Sequence, residues 1–167
     1  NSNILISYIV NNLSSFYING DSENKTPSEE YLFSNKVLLN NTSIKNNLPS
    51  LGFIRYESIS VGFKHDDLFK QFTFNINAQY SNTHNTFLTN VSINPNFSTL
   101  FYFQNPANIE NKNFVFDITK LINVLRLSIK HSSSFSLGNY KNAIDNFEIR
   151  NNKSFSYTGN LFMASFF

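Results

Sequence analysis

Residues 72–80, FTFNINAQY, alternate strictly. Phe72, Phe74, Ile76, Ala78 and Tyr80 are apolar, and Thr73, Asn75, Asn77 and Gln79 between them are polar. Because a strand points successive side chains to opposite faces, this stretch folds with one face toward apolar surroundings and one toward polar ones. The run before it, LGFIRYESISVGF (51–63), has strand composition, so 51–63 and 68–80 predict a hairpin with Lys64-His65-Asp66-Asp67 as its polar connector. TFLTNVSI and TLFYFQ add two shorter strands on either side of the turn-like Asn94-Pro95-Asn96.

Two other segments carry apolar residues at helical spacing. In the first, Leu5, Ile6, Ile9, Leu13 and Phe16 predict an amphipathic helix over 3–16, with Asn19-Gly20 as its stop. In the second, 117–131, Asp117 stands at an N-cap position and Ile118, Leu121, Ile122, Leu125 and Ile129 share one face. Lys130-His131 lie where a helix C-terminus favours positive charge. Between the first helix and the hairpin, residues 19–49 read as a long polar loop broken by Pro27 and Pro49, with one apolar island at Val37-Leu38-Leu39. HSSSFSLGNYKN reads as another loop, and Asn151-Asn152-Lys153 as a turn before a terminal strand. The expected fold is a single α+β domain over 1–167, an antiparallel sheet with two amphipathic helices packed on one face.

Composition narrows the chemistry. The 167 residues contain no Cys, which removes thiol catalysis, disulfide frameworks and zinc knuckles together. The net charge of +2 comes from 13 basic and 11 acidic residues with no long run of either sign, so there is no strong nucleic-acid signal. Asn and Ser replace charge at the surface, Asn at roughly one residue in six. No apolar run approaches the ~20 residues of a membrane helix, and no helical membrane span is expected. The start at Asn1-Ser2, without Met, a basic n-region or an apolar h-region, reads as a processed or trimmed chain rather than a signal peptide.

Motifs for catalysis are missing. His65-Asp66-Asp67 groups His with carboxylates, but a hydrolytic metal site needs further ligands, and His84 and His131 stand apart, so a solvated turn is the better reading. With five Gly residues there is no Gly-rich phosphate loop, nucleophile elbow or dinucleotide fingerprint. Lys120, Arg126 and Lys130 read as the solvated face of the second helix. Triplets such as Asn24-Lys25-Thr26 and Asn90-Val91-Ser92 are unremarkable in a chain this rich in Asn and Ser. The expectation is a non-enzymatic chain with no metal and no cofactor.

ILISYIVNNLSSF, the hairpin around FTFNINAQY, FDITKLINVLRLSIKH and the terminal FSYTGNLFMASFF together give an order of elements that resembles the tail terminator and tail-completion proteins of long-tailed bacteriophages. The resemblance covers about two thirds of the chain and is one of pattern; the strands at 86–104 depart from it. It implies a structural subunit of a virion, assembled in the host cytoplasm as a homo-oligomeric ring that contacts other virion structural proteins. Under that reading Tyr157, Leu161, Met163 and Phe167 face the helices, while Phe162, Ala164 and Phe166, with Val37, Leu38 and Leu39 of the long loop, form the interface. The alternative from a different class is a secreted or surface β-rich carbohydrate-binding module, with Tyr and Phe stacked on sugar rings.

Overall fold

The computed structural model describes residues 2–27, 36–40, 42–47, 52–93, 95–96, 98–104, 108–144 and 148–165. Within them the chain forms one mixed sheet of eleven strands and no α-helix. The strands are β1 (Ser2–Asn11), β2 (Ser14–Lys25), β3 (Val37–Asn40), β4 (Ser43–Asn47), β5 (Ile54–Asp67), β6 (Phe72–His84), β7 (Phe87–Ile93), β8 (Ser98–Gln104), β9 (Ile109–Ile122), β10 (Leu127–Ile144) and β11 (Glu148–Ser165).

Seven of them, β1-β2-β5-β6-β9-β10-β11, pair side by side, each antiparallel to the next. Their connections differ sharply between the two ends of the sheet. At one end the turns are short. Asn11 Oδ1 accepts the Leu13 amide at 2.9 Å in the first, an Asx turn. Leu68–Gln71 closes the second with Gln71 at φ 49°, and Asn123–Arg126 closes the third with Arg126 at φ 49° and its amide on Asn123 O at 3.1 Å. At the other end, β10 and β11 are joined across three residues, while 26–53 and 85–108 are long excursions that contain β3-β4 and β7-β8. These hairpins extend the sheet there. β7 runs parallel to the far end of β10 at Ala143 and Ile144, β8 pairs with β7, and β4 runs parallel to β8. The small buried centre lies at this junction, where Leu88, Ala143 and Asn90 are all under 5% exposed.

The α+β expectation is therefore corrected to all-β. The segment 3–16 is β1, its turn and the start of β2, because both faces of β1 carry apolar side chains and the alternation is blurred into an apparent helical stripe. The segment 117–131 is the end of β9, the Asn123–Arg126 turn and the start of β10. Its helical stripe sums apolar residues from two strands and from the turn itself, where Val124 and Leu125 are exposed. The hairpin between 51–63 and 68–80 is present as β5-β6, but Lys64 to Asp67 belong to β5 and the turn falls at Leu68–Gln71. Two expected breaks are continuous strand: HSSSFSLGNYKN lies within β10, and Asn151-Asn152-Lys153 within β11. The 19–49 region is not a plain loop, since β2 runs to Lys25 and β3-β4 follow.

Candidate functional site

Strand pairing in register turns the period-two pattern of single strands into two chemically distinct faces. On the first, Ile6, Ile18, Val61, Ala78, Phe114, Phe135 and Tyr157 are direct neighbours across all seven strands. The row toward the short turns continues as Tyr8, Phe16, Phe63, Ile76 and Phe116, then Ser133 and Gly159. The row toward the long connections contains Ile4, Ile59, Tyr80, Leu137 and Phe155, with Gly20 and Lys112 among them. Aromatic rings bind these rows laterally: Phe16–Phe63 at 4.7 Å, Phe74–Phe116 at 5.4 Å and Phe135–Tyr157 at 4.7 Å between centroids. Nothing among the described residues covers this face; Ile6, Ile18, Val61, Phe135 and Tyr157 are all exposed.

Ionisable side chains frame the apolar rows at top and bottom. At the long-connection rim Arg55 and His84 both hold Glu57, at 2.5 and 3.1 Å, and Glu110, Lys112 and Lys153 lie farther along. The His84 hydrogen bond, with help from Arg55, draws the Glu57 carboxyl below its ordinary range. At the short-turn rim, Asp67 Oδ1 accepts the Lys70 amide at 2.9 Å, and Lys120 Nζ donates to Lys70 O at 2.6 Å. The Lys70 amide is also the main reason the Asp67 carboxyl titrates below its usual value. From the Glu57 row to the Asp67 row is about 34 Å along β5 at the rise of an antiparallel strand.

The opposite face is polar and internally bonded. Asn19, Ser60, Gln79, Asn113, Ser136 and Ser156 form one row of it. Asp117 accepts from Ser132 at 2.6 Å and from Asn75 at 3.3 Å, Asp21 accepts from Asn19 at 2.8 Å and also from Asn3, and Ser136 donates to Asn113 at 2.7 Å. Tyr17 lies flat over Gly62 on this face, so close that any side chain at 62 would overlap the ring, and its hydroxyl accepts from Asn77 at 2.8 Å. Lys64, Asp66, Asp117 and Lys130 share the face, so charges of both signs are present without a single-sign field.

The residues expected to form an interface are not brought together. Phe162 and Ala164 lie on the polar face of β11, opposite Lys130 and Ser128, and Phe166 falls outside the described residues. Tyr157, Leu161 and Met163 are on the apolar face, with no helix to meet; Phe167 is likewise outside the description. Val37, Leu38 and Leu39 are in β3 at the far limit of the sheet, with Leu38 and Leu39 exposed. His65, Asp66 and Asp67 end β5 and alternate between faces, so their side chains diverge; His65 Nδ1 is 2.8 Å from Ser14 Oγ. No group of three or more potential metal ligands occurs among the described residues. His84 sits between Glu57 and Asn108, and His131 Nε2 is 2.7 Å from Ser133 Oγ. Lys120, Arg126 and Lys130 are split between the two faces and a turn. What the sequence reading missed is the repetition of the FTFNINAQY pattern in neighbouring strands, visible as Phe114, Phe116 and Ile118 in β9 and as Phe155 and Tyr157 in β11.

No protein-family model matches the chain, and no curated protein or solved structure does either.

Proposed function

We propose that this chain forms part of the wall of a transmembrane β-barrel, with the apolar face toward lipid and the Ser/Asn-rich face toward a polar lumen. The observation that carries this reading is the apolar band across seven antiparallel strands, unbroken in its central row from Ile6 to Tyr157, with Ser14, His65, His131 and Ser133 as its polar side chains toward the short turns, and framed by charged rims. At the ~40° tilt of barrel strands, the span of about 34 Å along β5 would stand about 25 Å tall, the height of the hydrocarbon-facing band of such barrels.

Three further features support it. β2, β5, β6, β9, β10 and β11 contain 12 to 18 residues each, enough to cross a bilayer at a tilt, where strands of water-soluble domains commonly have about five or six. Short turns close all three connections at one end, and two of the three at the other are long excursions, the β10-β11 connection being the exception, which is close to the asymmetry of outer-membrane-type barrels. Many side chains of the polar face bond one another laterally, as in a wall around water. No helix in the described residues is long and apolar enough to cross a membrane, which leaves crossing by strands untouched.

Hydrocarbon tolerates no open sheet edge, and β1 and β11 are each paired on one side only. Pairing β1 directly with β11 would place two parallel strands together, because the seven alternate in direction. In the assembled wall the edges of β1 and β11 are therefore covered, by one another or by strands of further copies of the chain. The virion-ring reading drew on an order of elements that included two helices, and those segments are strands here; the carbohydrate-binding alternative is compatible with an all-β chain, but an exposed face that is aliphatic as much as aromatic fits lipid better than sugar rings.

Refolding from denaturant in the presence of phospholipid vesicles tests the reading. The chain is expected to acquire β-type circular dichroism only with vesicles, and to float with them after an alkaline carbonate wash. A chain that folds as a discrete water-soluble dimer and stays in the aqueous fraction would instead bury its apolar face against a second copy.

A further inference from the structure

We infer that the lipid-facing surface carries a binding site for an anionic phospholipid, its phosphate held by Lys112, Lys141 and Lys153 and one acyl chain lying in the groove beneath them. The inference rests on the barrel-wall reading and adds to it a preferred lipid and a place.

The groove is the starting point. Ile59, Val61, Tyr80, Phe114, Phe135 and Leu137 line a trough of about 370 Å³ on the apolar face, between β5 and β10. Its upper end is closed by Lys112, the one cation in the row Ile59, Tyr80, Lys112, Leu137 and Phe155. A lysine there lays its methylene stem on the apolar rows and lifts its ammonium to the headgroup level. Above it a smaller recess shares Lys112 and Leu137 with the trough. That recess in turn shares Glu110, Asn139 and Lys153 with a cavity of about 660 Å³ that reaches Lys141 and Asn151. The cavity exists because β9 begins at Ile109 while β10 continues to Ile144, which leaves the upper part of β10 without β9 beside it. An apolar trough thus runs without interruption into a polar, cationic chamber at the rim, the shape of an amphiphile lying along the sheet.

Charge selects the headgroup. Elsewhere on the same rim the Arg55 guanidinium is already used, since Glu57 takes it together with the His84 ring. No ion pair joins Lys112, Lys141 or Lys153 to a described carboxylate. The only carboxylate in the chamber lining is Glu110, which accepts a long 3.5 Å hydrogen bond from Asn139, so three cations face one anion. A phosphate diester supplies the missing negative charge, and the carboxamides of Asn139 and Asn151 stand beside it as donors. A zwitterionic headgroup brings its own cation into the same chamber and gains less.

The chain contains no Trp, so single-Trp reporters are unambiguous. The full chain carrying Phe155→Trp, a position beside Leu137 but outside the trough lining, would be inserted into mixed vesicles of phosphatidylcholine and phosphatidylglycerol with one lipid brominated at a time. Brominated phosphatidylglycerol is expected to quench several-fold more effectively per mole fraction, up to about tenfold for a few lysines at the headgroup level. Combining Lys112→Gln, Lys141→Gln and Lys153→Gln brings the ratio to near one while quenching itself persists. A Tyr8→Trp reporter, on the apolar face far from the lysines, shows no preference in either background. Equal quenching by both lipids at residue 155 with all three lysines present would overturn the site and leave the barrel wall standing. Absence of quenching by either lipid at both reporters would overturn the barrel wall itself.

Discussion

Asp67 shows how one carboxylate fixes a turn in this sheet. It is the last residue of β5 and nearly buried; its Oδ1 accepts the Lys70 amide at 2.9 Å, and Lys70 Nζ lies 3.6 Å from Oδ2. Because these contacts require the ionised form, the folded pKa lies below the unfolded one. The sign of the effect follows. The turn is held fully above the usual carboxylate range of about 4, and the contribution is lost as pH falls through the lowered folded value. Hydrogen-exchange protection of the Lys70 amide should therefore fall on acidification, and Asp67→Asn should remove that pH dependence. A protection factor unchanged between neutral pH and pH ~2 would show that the carboxylate is not what holds the turn.

The β9-β10 hairpin explains what sequence periodicity could and could not convey at the level of elements. In β6 the alternation is readable because its apolar positions fall on one face and its polar ones on the other, and the hairpin with β5 follows from it. In 117–131 the turn was hidden because Leu125 within it is apolar, so Ile118, Leu121 and Ile122 of β9 and Ile129 of β10 joined with it in an apparent helical stripe. The signals that separate the two readings are the alternation of Asn113, Val115, Asp117 and Thr119 with Phe114, Phe116 and Ile118, and the turn-forming Asn123. β1 defeats periodicity for another reason, since Leu5 and Ile9 sit on the face that is polar in every neighbouring strand. Leu125 is 65% exposed, so Leu125→Ala is expected to change stability by under ~0.5 kcal/mol, as surface substitutions do. A loss of ~2 kcal/mol or more in denaturant titration, the size of a core truncation, would restore the helical alternative.

Among the described residues, no other element covers the apolar face of the seven-strand sheet. The accessible area of the molecule is 11452 Å², against about 8,400 Å² for a compact chain of 19.2 kDa. The candidate surface was legible in the sequence only strand by strand. Whether the apolar faces of separate strands fall on one side depends on register, which single-strand alternation does not reveal. No α-helix among the described residues packs on that surface, as the helices of an α+β domain would. The account therefore stands or falls on what the face touches. A single-Trp scan along β6, replacing residues 72 to 80 one at a time in vesicle-inserted chain with chain-brominated lipid, reads this directly. The account predicts strong quenching at 74, 76 and 78 and little at 73, 75, 77 and 79, a period of two along the strand. Uniform quenching at every position, or none at any, would contradict it.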